Sequence, residues 1–193
     1  MKFKIFKYNI VNSTNDIAIE LIRKKKYENG FVHALMQKRG RGRYGNKWIS
    51  KRGNFFGTIF FHIKKNYPSV KEFSLINPIL NIDVISRYCG KKNIFFKSPN
   101  DIYINKKKIC GILQEVIIQG SKKYLIVGIG INLFSNPTIK NYPSTNIYKE
   151  TKKKPKLLEI INQIIIKYEK FLSNIELYNF LNFKLKSEKL LLN

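Results

Sequence analysis

Apolar and polar positions interleave over Lys2 to Ile10, where Phe3, Ile5, Phe6 and Tyr8 sit among lysines, and this predicts an edge strand. The spacing then changes to a helical one. Ile17, Ala18, Leu21 and Ile22 follow Ser13-Thr14-Asn15-Asp16, which supplies a Ser or Thr N-cap and an acid suited to the positive end of a helix dipole. Phe31 to Met36 and Asn54 to Ile63 are short apolar runs that read as strands. Tyr67-Pro68-Ser69 opens a helix to about Tyr88, with Phe73, Leu75, Ile76, Ile79, Leu80 and Val84 on its inner face. Asn93 to Phe96, Ile102 to Ile104, Ile109 to Ile118 and Tyr124 to Ile131 read as strands, with turns at Asn105-Lys106 and Gln119-Gly120-Ser121. Phe134 to Pro155 holds three prolines and predicts a long loop. Leu157 to Leu172 is an amphipathic helix, Ile175 to about Leu185 another, and the tail ends in Leu190-Leu191-Leu192-Asn193. With no repeat and no domain-sized linker, the pattern predicts one α/β domain of the α+β type over residues 1–193, a mixed, largely hairpin-built sheet packed by helices.

One stretch breaks the pattern. Gln37 to Trp48, QKRGRGRYGNKW, has three glycines, three arginines, two lysines and no acid. Glycine in a helix interior costs about 1 kcal/mol against alanine and gives a sheet nothing to pack, so a mobile loop is expected. Its amides and guanidinium groups suit an anion, because arginine forks grip carboxylate or phosphate and glycine admits close backbone approach.

Composition changes this picture in one respect. The 193 residues carry 37 Lys and Arg against 12 Asp and Glu, a net charge of +25 that by itself suggests nucleic acid. Thirty-one of the 37 are lysine, however, and lysine, isoleucine and asparagine together make 82 residues, the mark of A/T-rich coding rather than of a polyanionic partner. Three of the six arginines fall within residues 39–43, so the loop stands out from a lysine-drifted background. No stretch approaches the roughly 18 apolar residues of a membrane span, the start lacks a signal peptide, and two cysteines form no disulfide framework. A soluble cytoplasmic protein with reduced Cys89 and Cys110 is expected.

Familiar chemistries are missing from the sequence. There is no GxxxxGK[ST] loop, no G-x-G-x-x-G opening a helix, and no zinc spacing. His33 and His62, the two histidines, lie in apolar strands, which gives a Ser/His/Asp triad no support. Four anion-handling pieces remain: the Gly/Arg loop; Lys97-Ser98-Pro99-Asn100-Asp101, whose proline fixes a turn from which Lys97, Asn100 and Asp101 project; Lys106-Lys107-Lys108 before Ile109-Cys110-Gly111, where Gly111 leaves room beside Lys108; and Gly128 to Asn132, whose glycines suggest close approach of backbone or ligand. Asp101 suits a Mg²⁺ contact and Asn100 a phosphate or ribose oxygen.

In order and spacing these pieces resemble the biotin–protein ligases. The matching elements are Ser13-Thr14-Asn15, the Gln37…GRGRYGNKW run, Lys97-x-Pro99-Asn100-Asp101, Lys108-Ile109-x-Gly111-Ile112-Leu113-x-Glu115 and Gly128-x-Gly130-Ile131-Asn132, which cover residues 13–132. The resemblance implies a fold like the class II synthetases and biotin–lipoate ligases. It also implies biotin and Mg-ATP as substrates, biotinyl-5′-AMP as intermediate, and transfer to a lysine of the biotin carboxyl carrier protein of acetyl-CoA carboxylase. Ser13, Thr14, Asn15 and Gln37 then hold the ureido ring. Arg41, Gly42 and Arg43 close over biotin and the acyl phosphate, and Arg43 keeps the anhydride from leaking. Lys108, with Gly111 beside it, meets the carboxylate and the transferred phosphate. Asn100, Asp101 and Lys97 contact nucleotide and metal, Asn132 the triphosphate, and Trp48 stacks on adenine. Arg39, Asn46 and Ser98 depart from the family pattern, which expects a small residue, a basic one and a tryptophan there. Against the family's layout, no DNA-binding winged helix and no C-terminal SH3-like barrel are expected; no specific DNA and no membrane partner are expected either, and a homodimer stays open. Three alternatives also stay open: a lipoate or octanoate ligase, a basic RNA-binding module built on the Gly/Arg loop, and an inactive biotin-binding remnant.

Overall fold

A computed structural model of the chain describes residues 1–90, 94–140 and 142–191. Seven strands, β1 (Ile5–Val11), β2 (Asn29–Gln37), β3 (Phe55–His62), β4 (Ile94–Lys97), β5 (Asp101–Ile104), β6 (Lys107–Gln119) and β7 (Lys122–Ile131), form one sheet in the order β1-β2-β3-β7-β6-β5-β4. Only β1 and β2 pair in parallel, across α1 (Thr14–Arg23), because parallel neighbours need a crossover; every other pair is antiparallel, so the sheet is mixed and built mostly by hairpins. β1 lies at the edge, as its alternation with lysines predicts.

Period-two side-chain alternation assigns each face of the sheet. On β7, Leu125, Val127, Ile129 and Ile131 join Ile112 of β6 and Ile59 of β3 in a core closed by α2 (Val70–Cys89) and α4 (Leu157–Ser173). Tyr124 and Ile126 point the other way, with Val32 and Phe60, and pack under Ala18, Leu21 and Ile22 of α1. Further along this second face β7 carries Gly128 and Gly130, and β6 carries Gly111, the partner of Gly130. The sheet therefore loses its side chains just beyond the N-terminal end of α1, and a hollow opens there.

Ser69 begins α2 with a full capping box to Glu72, and Phe73, Ile76, Ile79, Leu80 and Val84 are buried as their spacing predicts. Strand ends differ from expectation by up to three residues, β1 starting at Ile5 and not at Lys2, and the helical regions differ more. The stretch read as loop over 134–155 contains α3 (Ile147–Thr151), started by an Asn146 side chain that accepts from the Lys149 amide. The final helix splits into a short 3-10 turn at Ile175–Leu177 and α5 (Phe180–Glu188), because Tyr178 is extended and Asn179 caps a new start. β4 begins at Ile94; Asn93, read as its first residue, and the terminal Leu192 and Asn193 lie outside the described residues. No described helix is long and apolar enough to cross a membrane.

Asn54 ties the end of β7 to the segment that follows it. Its buried Oδ1 accepts from the amides of Leu133 (2.9 Å), Phe134 (3.1 Å) and Ser135 (3.2 Å), while Nδ2 donates to the Ser135 carbonyl at 2.8 Å. Each buried amide stripped of its acceptor costs about 1–3 kcal/mol. Asn54→Ala is therefore expected to lose about 2–4 kcal/mol in chemical denaturation; a loss below about 1 kcal/mol would show that solvent satisfies these amides equally well.

Candidate active site

The walls of the hollow come from six separate parts of the chain. Ser13 is the N-cap residue of α1, yet its side chain makes no capping bond. Gln37, at the end of β2, takes that place: its Oε1 accepts from the Thr14 amide at 2.8 Å and from Thr14 Oγ1 at 3.0 Å. The STND run is thus more than a helix start, since Gln37 holds the helix end and the Ser13 side chain faces the cavity. Thr58 of β3 donates to Asn15 Oδ1 at 2.6 Å, and Asn15 Nδ2 donates to Glu115 Oε2 at 2.6 Å, fixing the amide over Gly128. A Cβ added at Gly128 would stand 2.3 Å from Asn15 Oδ1. The close approach that these glycines suggest is made by the protein's own wall.

The Gly/Arg loop folds into a small hairpin instead of an open arm. Gly42 and Trp48 amides donate to the Asn46 and Gly40 carbonyls at 2.7 and 2.9 Å, Arg41 bridges Lys47, and the turn is completed by Tyr44 and Gly45 in left-handed conformations. Trp48 is laid by this hairpin across Gly111 and Gly130, where added Cβ atoms would come within 2.6 and 2.4 Å of the indole. A side chain at either position would evict it.

Lys108 is aimed by an irregularity. Between Ile102 and Tyr103 the β5–β6 register slips, so Ile102 faces Cys110 while Tyr103 faces Lys108 and Ile109 is passed over. Such a bulge re-aims a side chain. It sets Lys108 on the side of Gly111, 3.4 Å from that residue's virtual Cβ, although strict alternation would send it with Cys110 into the core. The Lys108 amide donates to the Pro143 carbonyl and its carbonyl accepts from the Thr145 amide, both at 2.9 Å. Its Nζ pairs with Asp101 Oδ2 at 2.8 Å and lies 5.6 Å from the Trp48 ring.

Trp48 and Lys108 stand between two adjacent cavities and line both of them. One, about 270 Å³, is lined by Ser13, Thr14, Asn15, Gln37, Arg41, Gly42, Arg43, Asn100, Asp101 and Gly111 as well as by Trp48 and Lys108. Its walls carry Arg41, Arg43, Lys47 and Lys108 against, among the described residues, one carboxylate, Asp101. The other, about 540 Å³, is lined by Trp48, Ile49, Tyr103, Lys108, Asn132, Ile139, Tyr142 and three prolyl and seryl positions, Pro137, Pro143 and Ser144. Three buried polar atoms on these walls, Trp48 Nε1, Asp101 Oδ1 and Asn132 Oδ1, have no hydrogen-bond partner among the described residues. Unpaired buried polar atoms are rare and call for a partner.

Most expected site residues are brought together. Lys97 is not: at the end of β4, opposite Asp101 in the ladder, it is exposed, with Nζ 5.7 Å from the ring of Tyr103, and it is not among the residues that line either cavity. Asn100 serves within the protein, donating to the Ile112 carbonyl at 3.0 Å and accepting from Arg43 Nη1 at 3.2 Å. Neither histidine is at the site: His33 is buried with Nδ1 on the Phe56 carbonyl and its pKa is lowered by burial, and His62 lines neither cavity. Residues not foreseen are Thr58 and Tyr142, and, for Asp16 and Glu115, the contacts that they make with Arg41. Thr58 had a signal, a hydroxyl inside the apolar run FFGTIFFH, and Glu115 shares a strand face with Gly111 four residues before it.

Comparison with known proteins bears on this geometry. The E. coli bifunctional ligase/repressor BirA is 31% identical over 126 residues, 64% of this chain and 39% of that protein. The biotin–acetyl-CoA-carboxylase ligase of Paracoccus denitrificans is 32% identical over 111 residues, 56% of this chain and 46% of that protein. This chain therefore spans less than half the length of these curated relatives. The biotin protein ligase of Aquifex aeolicus, solved in complex with biotin and ATP, is 26% identical and superposes with a TM-score of 0.81 over 98% of this chain and 78% of its own. The model of the biotin/lipoate A/B protein ligase family matches residues 8–132, which hold both cavities' sheet walls, the hairpin lid and Lys108, and the chain belongs to that family.

Proposed function

We propose that the protein is an ATP-dependent biotin–protein ligase. In the first step a biotin carboxylate oxygen attacks the α-phosphorus of ATP, the bond to the bridging oxygen breaks, and pyrophosphate leaves biotinyl-5′-AMP. In the second, a lysine amine of the biotin carboxyl carrier protein of acetyl-CoA carboxylase attacks the acyl carbon and AMP departs. The observation that carries the reading is Lys108 Nζ, held 2.8 Å from Asp101 at the junction of an amide- and hydroxyl-lined cavity with a larger apolar one. An acid in the first cavity and a nucleotide in the second would meet at that cation.

The roles divide accordingly. Ser13, Thr14, Asn15 and Gln37 offer hydroxyls and amides to a ureido ring. Arg41, Gly42 and Arg43 roof the acid. Lys108 neutralises charge on the carboxylate and the transferred phosphate, the kind of preorganised electrostatic contact that speeds phosphoryl and acyl transfer without a strong base. Trp48 and Asn132 line the nucleotide cavity, and each holds a buried polar atom without a partner among the described residues. A Mg²⁺ ion at this site would be held by Asp101, whose buried Oδ1 has no partner among the described residues; these include no cluster of three metal-binding side chains, so the ion would depend on the nucleotide phosphates for the rest of its binding. Bound there, the ion would neutralise the polyphosphate. Asn46 gives the lid one basic group fewer; it lines both cavities, and Lys47 beside it brings a basic group to both. Unpaired Cys89 and Cys110 suit the reducing cytoplasm.

Exchange of labelled pyrophosphate into ATP tests this, run with biotin, lipoate and octanoate in turn. Biotin alone is expected to support exchange. Exchange with lipoate but not biotin would sink the reading, and none with any acid would leave a binding remnant.

A further inference from the structure

The hairpin lid is fastened to the body through Arg41. Its guanidinium makes a fork with Glu115, Nη1 to Oε1 at 2.7 Å and Nη2 to Oε2 at 2.9 Å, and Nη2 also meets Asp16 Oδ1 at 2.8 Å. Bidentate arginine–carboxylate pairs are among the strongest polar contacts a surface offers. Both carboxylates and the Glu115 hydrogen bond in particular hold the Arg41 pKa above its ordinary value. Neither Asp16 nor Glu115 lines a cavity. Their places in the fold matter: Asp16 sits in the first turn of α1 beside Asn15, and Glu115 on β6 also takes the Asn15 amide. Since Arg41 bridges Lys47, fastening this one side chain fastens both limbs of the hairpin.

We propose that Asp16 and Glu115 are positioning residues that clamp Arg41 and so hold the lid shut over the first cavity, retaining the activated acid until the acceptor amine arrives. The retention role rests on the ligase reading; the clamp does not. The groups are partly exposed, with side-chain accessibilities of 39% for Arg41, 25% for Glu115 and 50% for Asp16, so the clamp is weak enough to open in each turnover and is screened by salt.

Trypsin reads the clamp directly, because the lid carries Lys38, Arg39, Arg41, Arg43 and Lys47, and the exposed Lys152-Lys153-Lys154 run supplies a reference remote in sequence. In the ligand-free full chain, Asp16→Asn with Glu115→Gln is expected to speed cleavage in the lid about tenfold, the scale of losing a bidentate charge-assisted pair, with the reference unchanged. Glutamine keeps an acceptor oxygen for Asn15. Added salt should move the wild type the same way, and Asp16→Glu alone should stay near it. Equal lid cleavage in variant and wild type overturns the clamp, and so does faster cleavage at lid and reference together, which would assign the carboxylates to global stability. In the active enzyme the double variant should lose a larger fraction of the biotinyl-5′-AMP it forms to hydroxylamine before carrier is added; an unchanged fraction overturns the retention role. A clamp seen by trypsin in a protein that activates no acid would refute the ligase reading alone.

Discussion

Replacing Lys108 with alanine is expected to lower biotin-dependent pyrophosphate exchange by about a hundred- to a thousandfold, the range found when one preorganised charge-stabilising group is removed from an active site. The fold should survive, because what pins this residue is backbone: the Lys108 amide and carbonyl bond to Pro143 and Thr145, and neither bond involves the side chain. Two consequences separate a chemical role from a structural one. Thermal stability should fall little, since the lost Lys108–Asp101 pair is about a quarter exposed at each end. Biotin binding measured without ATP should weaken far less than exchange, because the amides and hydroxyls of Ser13, Thr14, Asn15 and Gln37 stay in place. Lys108→Arg tests geometry, since a planar fork cannot fill the space of an ammonium 5.6 Å from the Trp48 ring; it should recover only part of the rate. Exchange within threefold of wild type in Lys108→Ala would remove this residue from the mechanism.

The features that sequence reveals well are those in which residue type alone dictates position. β1, β3, α2 and α4 follow from period and capping, and the loop from its glycines and arginines. Lys108 is a different case. Its neighbours suggest chemistry, but the slip at Ile102/Tyr103 that turns it toward Gly111 leaves no trace in the order of the residues. The Ser13 N-cap misleads for a related reason: capping is a local property, whereas Gln37, which does the bonding, lies on another strand. Asp16 reads as a dipole partner for α1, and only the folded lid shows that its other partner is Arg41. Lys97 is the opposite case. Sequence places it beside Asn100 and Asp101, and the fold sets its ammonium over Tyr103 without making it a wall of either cavity. Local patterns thus report elements, and long-range contacts decide which side chains share a site.

The division into two cavities can be broken one side at a time, using glycines whose backbone would accept alanine. Neither Gly128 nor Gly130 has a positive φ, so a methyl group there acts by collision and not by backbone strain. At Gly128 it would stand 2.3 Å from Asn15 Oδ1, an atom fixed by Thr58 and by the Glu115 contact of the same amide. Asn15 must then leave its place, and Gly128→Ala is expected to weaken biotin binding about a hundredfold, some 2.7 kcal/mol, while ATP binding changes little. At Gly130 the methyl would meet the Trp48 indole at 2.4 Å. The indole is a rigid plate lying across both Gly130 and Gly111 on one face of the sheet, so it has to lift away and lose its place on the wall of the larger cavity. Gly130→Ala should therefore reverse the pattern, costing ATP affinity about tenfold or more and biotin affinity less. Calorimetric titration of each variant with each ligand gives the four numbers. If both variants lose both ligands in the same proportion, the two cavities are one site with a shared wall, and the assignment of acid to one and nucleotide to the other fails.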